Sequence, residues 1–235
     1  MDHDELHRMM AGLSAANVAD GCVRADVPVR FAPPLLSAVV PGSRLAGRAL
    51  PARHTGSVDI FLEAFERAEP GDVLVADNGG RLDEACIGDL VVIEARAAGL
   101  AGVVIWGLHR DTADIKAIGL PVFSLGSVPA GPQRADLRSA DALNSARIGN
   151  WSLTSDDLVI ADDDGVLFLP ADRASEVLEL AESIRETESE QARRVSLGVT
   201  LRAQLSFGEY LERRAQTPSL TFRDHLRTRG GAIEE

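Results

Sequence analysis

The chain has 235 residues, a formal net charge of −12 and a pI near 4.9. With 45% apolar and 26% charged residues it has the material for a sizeable core, which excludes intrinsic disorder, and its length suits one domain with an appendage or two small ones. No apolar run reaches the roughly 18 residues that span a bilayer, the opening MDHDELHRMM is acidic where a secretory leader would be basic, and the acidity argues against a broad nucleic-acid surface, so a cytoplasmic protein is expected.

Residues 4–19 space Leu6, Met9, Met10, Leu13 and Ala16 as one helix, which Asp20-Gly21 should stop. The stretch from Pro28 to Pro41 is apolar but punctuated by proline, and reads as irregular or edge structure. A short strand is expected over Leu45–Leu50, then a helix capped by Ser57. From residue 70 the rhythm is α/β, with buried strands over Val73–Ala76, Gly102–Trp106 and Pro121–Ser124. Helices over about Gly88–Ala98 and from Thr112 to Ile118 lie between them. Such alternation implies parallel pairing through right-handed crossovers. Beyond residue 125 a loop (126–132) leads to an extended strand over Ala146–Leu153. Leu158–Ala161 and Val166–Leu169 then flank a turn at Asp162–Gly165, a hairpin pattern. A long amphipathic helix over 172–194, a second helical stretch near 199–214 and a tail with Phe222 and Leu226 complete the chain.

Composition narrows the chemistry. The sequence holds 23 arginines and one lysine, Lys116, so an imine-forming mechanism has a single candidate residue. No GxxxxGK[ST] or GxGxxG motif occurs, and Cys22 and Cys86 form no CxxC pair. His3 and His7 stand at i, i+4 but at a chain end, and Asp162–Asp164 lacks the spacing of a calcium loop, so a turn is the simpler reading. His54 and His225 read as surface or packing residues, and His109 draws interest only as the neighbour of Arg110. Gly71 reads as turn punctuation, and Gly79-Gly80 sits where a strand hands over to a loop. Two features are sharper. Gly88-Asp89-Leu90-Val91 opens a helix, where unpaired N–H groups and the dipole favour an anion, although Asp89 could equally serve as a cap. Arg110-Asp111 follows a buried strand, where a guanidinium could hold an anion and the aspartate a hard cation, or the two could form a plain surface ion pair.

Asp89 and Arg110-Asp111, with twenty residues between Asp89 and Arg110, match a D-x20-R-D signature. Together with PGDVLVAD, AGVVIWGLHRDTADI, PVFSLG and ADDDGVLFLP in this order, the chain over roughly residues 10–190 resembles one family. It contains the 4-hydroxy-4-methyl-2-oxoglutarate / 4-carboxy-4-hydroxy-2-oxoadipate aldolases and the regulator of ribonuclease activity A. The resemblance implies an α/β fold, a swivelling β/β/α sandwich, over residues 1–190. A C-terminal helical extension over 191–235 would then lie at a subunit interface of a homotrimer or homohexamer. It implies that Arg110 holds the pyruvyl group, that Asp111 anchors a divalent metal, Mg²⁺ or Mn²⁺, and that Asp89 positions a water. The backbone at Gly88, Leu90 and Val91 would receive the substrate carboxylate, and a further carboxylate would come from a neighbouring subunit. The implied activity is metal-dependent retro-aldol cleavage of a 4-hydroxy-2-oxo dicarboxylic acid to pyruvate, with oxaloacetate decarboxylation on the side. The alternative is a non-catalytic binding protein of the ribonuclease-regulator kind, although that regulator is shorter and lacks most of the tail seen here.

Overall fold

The computed structural model of the chain describes residues 3–10 and 12–227, His3 and Asp4 by their backbone alone. The N-terminal helical pattern resolves into two helices, α1 (His3–Met10) and α2 (Ala15–Arg24). Ser14 causes the break by forming a capping box with Asn17, satisfying first-turn N–H groups of a new helix. Contrary to the sequence expectation, α2 runs through Asp20-Gly21. Gly21 is needed there for closeness, because a Cβ on it would lie 2.5 Å from the Val177 carbonyl oxygen.

The main sheet has the order β1-β12-β11-β3-β4-β6-β8-β2. These are Arg30–Phe31 (β1), Ser37–Ala38 (β2), Leu45–Arg53 (β3), Val73–Asp77 (β4), Gly102–Trp106 (β6), Val122–Ser124 (β8), Asp157–Asp162 (β11) and Gly165–Pro170 (β12). The strands β3, β4, β6 and β8 pair in parallel, and β11 and β12 form the antiparallel hairpin. The proline-punctuated segment supplies both edge strands, where missing donors cost least. Two short strands, Ala85–Ile87 (β5) and Leu108–His109 (β7), pair in parallel outside the main sheet. The single strand expected over 146–153 is instead a tight hairpin of β9 (Ala146–Ile148) and β10 (Trp151–Leu153), turned at Gly149 with φ 58°.

Three apolar clusters hold these layers. On one face of the parallel strands lie α3 (Asp59–Phe65), α4 (Asp89–Ala97) and α5 (Thr112–Ile118), packed through Phe61, Ile60, Val92 and Ile115. The other face curls, so that Phe123 of β8 and Phe168 of β12, from opposite sides of the sheet, share one cluster with the β9–β10 hairpin. The third cluster packs α2 and α6 (Ala174–Ser196) on β11 and β12. The long helix runs unbroken past residue 190. Beyond it α7 (Leu201–Gln204) and α8 (Phe207–Gln216) split the expected second helix, and α9 (Phe222–Arg227) forms in the tail. They gather round Tyr210, which packs on Phe207, Phe222 and His225. His225 is thus a packing residue, and its Nε2 lies 2.9 Å from the Leu205 carbonyl oxygen. Ser57 lies one residue ahead of the α3 cap position, Val58, which has no side-chain cap. Among the described residues no helix is long and apolar enough to cross a membrane.

Candidate functional site

Strand β5 leads directly into α4 and β7 directly into Arg110, and their pairing brings both ends together. The Arg110 N–H donates to the Ile87 carbonyl at 3.0 Å. Gly88 is the cap residue of α4 and has no side chain to satisfy the first turn, so the N–H groups of that turn open on a cleft of about 260 Å³. Gly88, Asp89, Leu90, Val91 and Arg110 line this cleft, together with His54, Gly56, Val58, Pro132 and the β5 backbone segment. The sequence-derived residues for anion binding therefore share one cavity.

Asp111 stands at its rim. Its backbone is left-handed (φ 57°, ψ 41°), a conformation that aspartate tolerates better than most residues. This turns the carboxylate back to Arg110, with Nε and Oδ2 3.2 Å apart, and against Gly88, where any Cβ would overlap Oδ2. Half the Arg110 side chain and a third of the Asp111 side chain are exposed, so this ion pair is weak and can yield to a ligand. His109, just before, is buried between Ser124 Oγ (2.7 Å from Nδ1) and Thr112 Oγ1 (3.0 Å from Nε2), which ties the Arg110 loop to β8 and α5. Burial holds its pKa below the ordinary histidine value.

The other sequence candidates lie elsewhere. Gly79-Gly80 is a turn with positive φ, Gly80 tight against the Trp106 ring, and is not part of the cleft lining. Gly71 (φ 90°) is a turn that donates to the Gly99 carbonyl. In the acidic turn, Asp162 accepts from Ala15 N (2.7 Å) and Asp163 from Gly42 N (2.7 Å), so both carboxylates serve the fold. His7 lies on α1, and the His3 side chain lies outside the described residues. Lys116 is exposed on α5. Cys22 and Cys86 are buried free thiols, both with raised pKa through burial. Among the described residues no three His, Cys, Asp or Glu side chains gather as a metal cluster.

A buried polar group behind the cleft escaped the sequence reading. His54 stacks on Phe61 at 5.4 Å, and its Nδ1 lies 2.9 Å from Asn78 Oδ1. Arg134 donates to the same Oδ1 at 2.8 Å and to Glu84 Oε1 at 2.9 Å. These residues come from four separate segments, so no local motif announces them. The one local signal was a histidine seven residues before Phe61, at the end of an apolar strand.

The family model described as "RraA-like: Aldolase/RraA" matches residues 15–168, which include every residue of the cleft. A Halalkalibacterium halodurans protein provisionally named 4-hydroxy-4-methyl-2-oxoglutarate aldolase is 32% identical over 152 residues, 65% of this chain and 69% of that one. A Dechloromonas aromatica protein with the same provisional name is 29% identical over 59% of this chain and 84% of its own. Among solved structures, an uncharacterised protein from Pseudomonas syringae pv. tomato superposes with a TM-score of 0.74 at 26% identity, covering 84% of this chain and 95% of that chain. Streptomyces coelicolor RraAS2, described as an unusual member of the RNase ES inhibitor RraA protein family, gives 0.69 at 25% identity, covering 81% of this chain and 98% of that chain.

Proposed function

The chain belongs to the RraA-like family, Aldolase/RraA, and from that premise we propose that it is a lyase. Its substrate is a 4-hydroxy-2-oxo dicarboxylic acid, cleaved by retro-aldol chemistry to pyruvate with the help of a divalent cation, and oxaloacetate decarboxylation is a side reaction. The observation that carries this reading is the convergence of an uncapped helix start and a guanidinium on one cleft. Backbone N–H groups at Asp89–Val91 receive a carboxylate, helped by the helix dipole, and Arg110 closes on it with charge-assisted hydrogen bonds. Both reactions leave a carbanion beside a carbonyl, so one arrangement of positive charge serves both.

Asp111 fits a Mg²⁺ or Mn²⁺ ion. It is a hard oxygen donor, partly exposed, in a space that any side chain at Gly88 would fill. With no cluster of three such ligands among the described residues, water and substrate oxygens would complete the shell. When bound, the cation polarises the pyruvyl oxygens and stabilises the developing negative charge. Asp89, in the first turn of α4, holds a water at the reacting end, and Arg110 stabilises the oxyanion. Lys116 takes no part, being exposed and outside the cleft.

Coupled pyruvate detection with the purified chain tests the reading. Oxaloacetate and 4-hydroxy-4-methyl-2-oxoglutarate should each release pyruvate in the presence of Mg²⁺ or Mn²⁺ and not in excess chelator. The absence of pyruvate from these and from a panel of 4-hydroxy-2-oxo acids would leave the binding role of the ribonuclease-regulator kind. Full activity in chelator would remove the cation.

A further inference from the structure

The cleft is lined by a histidine whose protonation pattern is dictated from behind. A guanidinium has only donors, so the Asn78 side-chain atom 2.8 Å from Arg134 Nη2 must be the oxygen. That oxygen is also 2.9 Å from His54 Nδ1 and can only accept, so Nδ1 carries the proton. The opposite amide orientation would give Asn78 Nδ2, which has no hydrogen-bond partner among the described residues, a contact with the ring. It would also set two donors against each other at 2.8 Å. Arg134 Nη2 is 3.5 Å from Nδ1, too far to compete, and donates also to the His54 carbonyl at 3.3 Å. With Nδ1 protonated, neutral His54 keeps a bare lone pair on Nε2. The ring is stacked nearly parallel to that of Phe61 (4° between planes), so the lone pair is confined to one plane.

We propose that His54 is the proton acceptor of the retro-aldol step, its Nε2 taking the proton of the substrate's 4-hydroxyl. The inference rests on the lyase reading above and adds the base to it. The O–H bond breaks and the proton passes to Nε2. The oxygen's electron pair forms the new C4 carbonyl, the C3–C4 bond breaks, and its pair passes into the pyruvate enolate. The imidazolium returns the proton to C3, giving pyruvate and neutral His54, with no other reactant consumed. Oxaloacetate has no 4-hydroxyl and loses its carboxylate without this base, so the two activities depend differently on His54.

The surroundings keep the ring neutral and ready. Burial and the Arg134 charge hold its pKa below the ordinary value, against the Asn78 hydrogen bond and the Glu84 and Asp59 carboxylates. The other charged groups facing this pocket are Arg81 on Glu84, Asp136 on Arg134, and Asp89 and Arg110 across the shared cleft.

His54→Gln keeps much of the volume but cannot take up a proton. In the full chain, retro-aldol kcat should fall by about 10²-fold or more, the range expected for loss of a general base, and by a far larger factor than oxaloacetate decarboxylation. Asn78→Asp retains the acceptor and adds a charge, so the acid limb of the retro-aldol pH profile should move to higher pH while that of decarboxylation stays. Nitrogen-15 NMR of the wild-type imidazole should show a protonated Nδ1 and a bare Nε2. Equal loss of both activities in His54→Gln, an unmoved limb in Asn78→Asp, or a protonated Nε2 would each overturn the inference while leaving the lyase. A wild-type chain with decarboxylase activity and no retro-aldol activity on any 4-hydroxy-2-oxo acid would overturn it too. A chain releasing pyruvate from neither class of substrate would overturn both readings.

Discussion

Asp111 adopts a conformation that L residues avoid, and Gly88 is the reason it fits: only a residue without Cβ leaves room for its carboxylate. Gly88→Ala should therefore push Asp111 and Arg110 out of register and cut pyruvate release by about 10²-fold, the scale for losing one preorganised electrostatic contact. Arg110→Ala and Asp111→Ala should lose at least as much. Asp111→Asn, which keeps the left-handed preference, should lose activity with an unchanged melting temperature. Lys116→Ala should be silent, and borohydride trapping of substrate on Lys116 would refute the non-imine route. This part of the site was legible in the sequence because Gly88–Val91 and Arg110-Asp111 mark the start of a helix and the end of a strand. His54, Asn78, Glu84 and Arg134 were not, since their meeting depends on how β3, the loops after β4 and the segment after residue 130 come together. A lone histidine in an apolar run carries no sign of its partners.

At the scale of elements, local signals worked where they agreed with packing and failed where packing decided. The β11–β12 hairpin and the β3-β4-β6-β8 strands follow from apolar runs bounded by turn residues. The glycine at position 21 looked like a helix stop, yet α2 continues because α6 approaches so closely that only glycine fits. Replacing it tests this account: Gly21→Ala should raise intrinsic helix propensity and still destabilise the protein, by about 1–3 kcal/mol as for overpacking. Urea denaturation followed by circular dichroism measures it. A gain in stability would mean that the two helices separate without cost. The strand expected over 146–153 reads as one run only if Gly149-Asn150 is ignored, and it is this pair that turns the chain back.

Across the whole molecule, buried titrating groups bracket the range of stability. His54 and His109 have folded-state pKa values lowered by burial from the ordinary 6.5. The unfolded chain then binds protons that the native chain refuses, so their contribution is complete above pH 6.5 and is lost as the pH falls below it. Cys22 and Cys86 are raised from 9.0, and stability should fall as the pH climbs above that value, where unfolding lets the thiols ionise. Thermal melts should thus be highest between these limits. A melting temperature still rising as the pH falls from 6.5 to 5 would contradict the histidine assignment. Association is the second expectation at this scale. Leu90, at the cleft, is 74% exposed, and Ile93 on the same helix and Leu62 on α3 are 40% and 46% exposed. This apolar surface suits a subunit boundary, and the trimer or hexamer that the family resemblance implies would run one past the site. Light scattering that gave a monomer at micromolar concentration would rule it out.

The two-stranded β5–β7 ladder has a consequence for how such a site can diversify. It fastens the start of α4 and Arg110 to each other through backbone alone, so the grip on a pyruvyl end proposed above would work like a caliper with its jaws locked. The rest of the lining, around Gly56, Val58 and Pro132, comes from connecting segments outside the strands, held by single backbone bonds such as those from Ala85 N–H to the Ala130 carbonyl and from Asp136 N–H to the Thr55 carbonyl, both 2.8 Å. Substrate range can therefore drift by exchange in those segments while the chemistry at the fixed end stays as it is, and chimeras swapping residues 55–58 and 130–133 should change which 2-oxo acid is cleaved without changing the product they share.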